Sequence, residues 1–249
     1  MIEINNVHKR LGGKEVLRGV NLEVKEGELM VVIGGSGMGK SVLLKHIIGF
    51  LKPDSGDVLV DGVSIPGCSL RELYEIRKRY GVIFQSPALL QSLTVGDNVA
   101  LPLKEHSGYP DEKIREIVSD RLHLVKLFDV EEKLPSELSG GMQKRVSLAR
   151  ALVMDPHLVL FDEPDIGLDP ILSATIGHLI VDLHARIGFT AIAVTHNMSF
   201  AYLIADRIAM LYDGRIVALG TPDEIRRSPE RLVQEFIKGI PKHEEGWEK

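Results

Sequence analysis

The segment Gly34-Gly35-Ser36-Gly37-Met38-Gly39-Lys40-Ser41 fits the pattern G-x-x-x-x-G-K-[ST]. Residues of these types at this spacing hold phosphate. Glycines let the backbone curl until successive N–H groups converge on an anion, and a helix start adds partial positive charge. Lys40 supplies a full charge for β and γ phosphates, and the Ser41 hydroxyl is a ligand suited to Mg²⁺. The flanks agree with this chemistry. The apolar run Leu29-Met30-Val31-Val32-Ile33 leads in as a strand buried on both faces, and a helical stretch from Lys40 to Phe50 leads out.

Three further groups have chemistry that a bound nucleotide would need. Asp162 ends the apolar strand Leu158-Val159-Leu160-Phe161, which predicts a carboxylate at the carboxyl edge of a sheet, where it can hold Mg²⁺. Glu163 follows at the same edge, and a carboxylate near a γ-phosphate can orient and polarise water. His196 follows the apolar strand Thr190–Val194 and is expected at that edge too. The other histidines show no metal-ligand spacing. His178 and His184 are six positions apart and do not share a helix face well. A second anion-ready helix start lies in Pro135-Ser136-Glu137-Leu138-Ser139-Gly140-Gly141-Met142-Gln143-Lys144-Arg145, where Ser139 is a good N-cap and two glycines open the helix. One nucleotide cannot need two such loops from the same side, so the second is expected to serve the nucleotide of a neighbouring chain.

These residues need a scaffold, and the composition supplies one. The chain has 249 residues, 44% of them hydrophobic and 26% charged, enough to bury a sizeable core without disulfide or metal staples. Cys68 is the single cysteine, which excludes an internal disulfide framework and a multi-cysteine metal site. The net charge of −5, with no basic block, argues against a nucleic-acid partner held through phosphate contacts. No apolar run approaches the roughly 18 residues that span a bilayer, and the start MIEINNVHKR lacks a signal-peptide centre. A cytoplasmic, mildly acidic protein is expected. The first 33 residues alternate and turn like strands. The stretch from about Ser86 to Met154 is mainly helical, with Asp111 as a natural N-cap, and strands return at His157–Phe161, Thr190–Val194 and Arg207–Leu211. Asp213-Gly214 marks a hairpin. Strands alternating with helices predict an α/β fold on a mainly parallel sheet. Residues 241–249 form a polar tail.

In order, the chain presents the glycine-rich loop, Gln85 after an apolar strand, Leu138-Ser139-Gly140-Gly141, Asp162-Glu163, Gly167-Leu168-Asp169, and Thr195-His196. This order resembles the ATP-binding cassette (ABC) transporter ATPases over residues 1–240. The resemblance implies the ABC-ATPase version of the P-loop NTPase fold: a mainly parallel core sheet, an N-terminal antiparallel β subdomain and a helical subdomain at about 86–155, all in a single domain. It implies a homodimer with two ATP molecules sandwiched between one protomer's phosphate loop and the other's signature loop, Ser139, Gly140, Gly141 and Met142. It assigns Ser41, Gln85 and Asp162 to Mg²⁺, Glu163 to catalysis, His196 to the γ-phosphate, and Asp169 to coupling across the dimer.

Met142 within the signature, Arg77 to Ser86, Asp97 to His106 and Phe236 to Ile240 look similar to the ATPase subunit of Mla-type phospholipid transporters. That branch implies a dimeric integral-membrane permease on the inner membrane, an MCE-domain protein and, as a further candidate, a STAS-domain protein. Ala88-Leu89-Leu90 and Leu93 offer apolar surface for the permease to dock on. The alternatives are another ABC importer, a non-transport ABC protein acting on cofactors or nucleic acid, and an ATP-gated scaffold that does not hydrolyse. Two departures stand out. Leu11 occupies the position where the family stacks an aromatic on adenine, and Asp165-Ile166 replaces small residues, leaving a carboxylate expected to be exposed and harmless or to alter dimer closure. Trp247 in the tail could anchor a neighbouring subunit or be disordered.

Overall fold

The computed structural model describes residues 1–240. The polar tail and Trp247 lie outside the described residues. The chain opens with β1 (Ile2–Leu11), β2 (Lys14–Val24) and β3 (Leu29–Ile33), then α1 (Lys40–Ile47), β4 (Ser55–Val60), β5 (Val63–Ser64), α2 (Leu70–Arg77) and β6 (Tyr80–Ile83). Three α-helices follow: α3 (Val95–His106), α4 (Asp111–Leu124) and, after a 3-10 turn at Pro135–Glu137, α5 (Gly140–Leu152). The remainder is β7 (Leu158–Asp162), α6 (Pro170–Ile187), β8 (Thr190–Thr195), α7 (Met198–Ile204), β9 (Arg207–Tyr212), β10 (Arg215–Gly220), α8 (Pro222–Arg226) and α9 (Arg231–Ile237).

Two sheets form. An antiparallel one runs β2-β1-β4-β5, and a six-stranded one runs β10-β9-β3-β8-β7-β6. The second is parallel except for the β9–β10 hairpin. Its inner strands are apolar on both faces, as short continuous apolar runs require. Along β3, Val31 and Ile33 face a core shared with α3, α5, α6 and α7, whereas Met30 and Val32 face a core shared with α1 and the antiparallel sheet. The same division splits Val159 and Phe161 from Leu158 and Leu160 on β7. The sheet therefore stands between α1 and α5.

Two local expectations shift. Pro110, not Asp111, occupies the cap position of α4 with extended φ −67° and ψ 153°. Asp111 is instead the first helical residue, where a carboxylate meets the positive end of the helix dipole. Helix α1 ends at Ile47, and Phe50 lies beyond it with its ring beneath the Arg77 guanidinium, 4.8 Å from the ring centre.

Candidate active site

The parallel registers bring the separate motifs to one edge. Ile33 pairs with Thr195, Asp162 with Val194, and Ile83 with Phe161. The residues just beyond those strand ends are Gly34, His196, Glu163 and the segment leading to Gln85. They all emerge on the carboxyl side of adjacent strands, where open α/β sheets bind ligands.

The phosphate loop is held in its curl by steric necessity. A side chain at Gly34 would run into the Leu211 carbonyl of β9. Gly39 sits at φ +97°, and a Cβ there would lie 3.0 Å from Val16. No side chain caps α1, so its first N–H groups remain directed into the loop. Gly35, Ser36, Gly37 and Met38 complete the turn, with the Met38 amide donating to the Gly35 carbonyl at 3.4 Å.

Lys40 is only 4% exposed, and its ammonium donates to the Gly34 and Gly35 carbonyls at 2.8 and 3.1 Å. Burial pushes its pKa down, and the Glu163 and Asp162 carboxylates oppose that shift. The Ser41 hydroxyl donates to Asp162 Oδ1 at 2.7 Å, bringing two hard oxygens together. Glu163 Oε1 stands 3.6 Å from Lys40 Nζ and 3.5 Å from His196 Nδ1. Glu163 adopts φ +49°, a left-handed conformation that costs a non-glycine residue roughly 1–3 kcal/mol. Its amide donates to Val194 O at 3.0 Å, and its carbonyl accepts from the Ile166 amide at 3.2 Å. His196 is half-exposed beside this group, so its other face is open to a ligand.

Gln85 is exposed after β6, and its backbone carbonyl accepts from Lys144 Nζ of α5 at 2.7 Å. Arg150 of the same helix donates to Pro87 O and Ala88 O at 2.9 and 2.8 Å. The fully buried Asn98 of α3 donates to Leu90 O and accepts from the Leu90 amide. The segment after Gln85 is thus tied to two helices by Lys144, Arg150 and Asn98. None of these roles is legible in the sequence, because a lysine, arginine or asparagine inside a helix reads as a solvated face until its neighbours are known.

The remaining expected residues lie apart from this cluster or at its margins. Leu11 ends β1 at 38% exposure, beside the tight turn into β2. Ser139 caps α5 by accepting from the Met142 amide at 3.3 Å, with Gly140 exposed at the helix start and Gly141 packed toward Leu172. Asp169 caps α6, accepting from the Ile171 and Leu172 amides at 2.9 and 3.0 Å. Asp165 corrects an expectation: it is buried, not an exposed charge, and accepts from the Thr195 hydroxyl. Cys68 is a partly buried free thiol donating to Ser64 O. Leu89 is buried in the core, so of the apolar stretch after Gln85 it is Ala88 and Leu90 that remain exposed.

Beside Leu90 runs a groove of about 570 Å³ lined by Phe50, Tyr74, Phe84, Leu90, Leu101 and Met154. Phe50, Tyr74, Phe84 and Leu90 are all exposed. No helix among the described residues is long and apolar enough to cross a membrane.

Comparison with known proteins identifies the family. A "Probable ribonucleotide transport ATP-binding protein" of Mycobacterium leprae is 44% identical over 96% of this chain and 69% of its own length. The "Intermembrane phospholipid transport system ATP-binding protein MlaF" of Haemophilus influenzae is 42% identical over 96% of this chain and 90% of its own. A dimeric ATP-binding cassette in a post-hydrolysis state with ADP and phosphate superposes with a TM-score of 0.81 at 33% identity, covering 89% of this chain and 99% of that one. The family model described as ABC transporter matches residues 17–165. With the phosphate loop, the paired carboxylates and the strand-end histidine assembled on one sheet edge, the chain belongs to the ABC transporter family as a nucleotide-binding, ATP-hydrolysing cassette.

Proposed function

We propose that this chain is the motor of a bacterial phospholipid transporter. It acts as a homodimer beneath a dimeric integral-membrane permease, with an MCE-domain protein and a STAS-domain protein as further partners. The observation that carries the cargo reading is the near full-length similarity to the Haemophilus influenzae protein named for intermembrane phospholipid transport. On this reading residues 1–240 form one cassette, with the helical subdomain at about 86–155. The protein sits on the inner face of the inner membrane through its permease. The exposed aromatic groove beside Leu90 suits a cytoplasmic helix of that permease.

The chemistry follows from the side chains. Backbone amides of Gly35 to Ser41 and the Lys40 ammonium bind the phosphates of ATP. Ser41 Oγ and Asp162 Oδ1, 2.7 Å apart, are hard oxygens of the kind Mg²⁺ takes alongside phosphate and water, with Gln85 as a further ligand. The ion would supply charge neutralisation at the β and γ phosphates. Glu163 orients and polarises the attacking water, and His196 contacts the γ-phosphate. Ser139, Gly140, Gly141 and Met142 of a second copy close over the same nucleotide. Asp169 couples the two sites, and Gln85, held by Lys144, passes the motion to the helices beneath the permease.

Glu163→Gln tests the catalytic assignment. It should lower ATP turnover by at least about 100-fold, the range of a lost acid–base group, while ATP affinity is kept. Near-normal hydrolysis would assign the base elsewhere. A second cargo reading rests on the Mycobacterium leprae protein, whose name concerns ribonucleotides. Mass spectrometry of small molecules retained by the purified membrane complex separates the two, phospholipid supporting the first and ribonucleotide the second.

A further inference from the structure

The loop after Glu163 contains a buried carboxylate that the nucleotide chemistry does not use. Asp165 is 6% exposed, and an ionised carboxylate that deep is costly unless hydrogen bonds or opposite charge compensate it. Both compensations are present. The Thr195 hydroxyl donates to Asp165 Oδ1 at 2.9 Å. Lys144 is 7% exposed, and the Asp165 carboxylate opposes the downward push of burial on the pKa of its ammonium.

The position of this contact matters. Thr195 Oγ also accepts from the Asn197 amide at 3.0 Å, and the Asn197 side chain caps α7 by accepting from the Phe200 amide at 3.2 Å. His196 lies between the two residues thus fixed. On the other side, Asp165 is two residues from Glu163 and its carbonyl accepts from the Leu168 amide at 3.3 Å, just before Asp169 caps α6. The hydroxyl of Thr195 is therefore one bridge between the loop that carries Glu163 and the turn that carries His196. The two catalytic side chains meet at 3.5 Å across it.

We infer that Asp165 is a positioning residue: its hydrogen bond from Thr195 locks the His196 turn against the Glu163 loop and sets the geometry in which the pair acts. Asp165 and Thr195 touch no reacting atom. They hold the two groups that do. The inference rests on the assignment of Glu163 and His196 as catalytic.

The test is steady-state ATP hydrolysis by the full-length protein in its membrane complex, with paired variants. Thr195→Val removes the hydroxyl and keeps the shape, whereas Thr195→Ser keeps the hydroxyl. Asp165→Leu removes the acceptor, whereas Asp165→Asn keeps one acceptor oxygen. Thr195→Val and Asp165→Leu should each lower kcat by about tenfold or more with KM for ATP within about twofold, since misplaced groups cost rate before they cost binding. Thr195→Ser and Asp165→Asn should stay within about threefold of the unaltered protein, and the Val/Leu double variant should be no slower than the slower single one. Full turnover by Thr195→Val, an equal loss in Thr195→Ser, or losses that multiply in the double variant would each overturn the proposal. If Asp165→Leu does not fold, the two Thr195 variants decide the matter alone. Glu163→Gln run in the same assay keeps the questions separate: normal turnover there removes the catalytic assignment, whatever the Thr195 pair shows.

Discussion

The helix starts at α1 and α5 are both equipped for an anion, yet the chain finishes only one of them. At α1 the loop is wedged between β2 and β9, Lys40 is buried, and Ser41, Asp162, Glu163 and His196 converge from neighbouring strand ends. At α5 the start is exposed, Ser139 satisfies one amide with its own hydroxyl, and a side chain at Gly140 would meet nothing within 4 Å. The two helices pack on opposite faces of the six-stranded sheet. Helices separated by a sheet do not meet at one phosphate. The first loop is thus complete within the chain, and the second has its surface turned outward.

The sharpest break of this contrast comes from Lys40→Ala against Ser139→Arg. Removing the buried ammonium should weaken ATP binding by about 100-fold or more, the scale of truncating a buried charge contact. Ser139→Arg should leave binding to the dilute monomeric chain unchanged while turnover is lost. Fluorescence titration with an ATP analogue reads the first quantity and phosphate release the second. Equal loss of binding in both variants would place the two loops on the same nucleotide within one chain.

A smaller effect separates fold from function. Gly39→Ala forces a Cβ onto φ +97° beside Val16 and should destabilise the chain by about 1–3 kcal/mol in urea unfolding. Gly140→Ala has open space and should leave stability within about 0.5 kcal/mol. It should nevertheless slow turnover, because the space it fills is the space a second copy would enter. Unaltered turnover by Gly140→Ala would detach the second loop from catalysis.

An effect confined to affinity concerns the base. Leu11 offers aliphatic contact only, so ATP and GTP should bind the unaltered chain with similar affinity. Leu11→Tyr should tighten ATP binding by about 1–3 kcal/mol, the scale of aromatic stacking on a base. Strong ATP preference that the substitution does not change would mean that other groups read adenine.

The phosphate loop, the apolar strands and the strand-end carboxylates were legible because each is written in consecutive residues. Glycine spacing fixes a loop, and an apolar run followed by Asp162 fixes a strand with an acid at its end. The ties made by Lys144, Arg150 and Asn98 were not legible, nor was the burial of Asp165. A charged residue is compensated by groups distant in sequence, and nothing local reveals whether it faces water. The cap of α4 fell one residue early for a subtler reason: Asp111 and Pro110 both suit a helix start, and which takes the cap depends on where the preceding turn delivers the chain.

Residue order alone specifies an inventory: the residue types that can hold phosphate, bind a divalent ion and polarise water, and their succession along the chain. Which of them meet is settled by the packing of the sheet. Parallel pairing of β3, β8, β7 and β6 in one register carries four separate strand ends to a common edge, since parallel strands all point their carboxyl ends the same way. The same sheet keeps α1 and α5 apart, because each helix buries its apolar side against an opposite face.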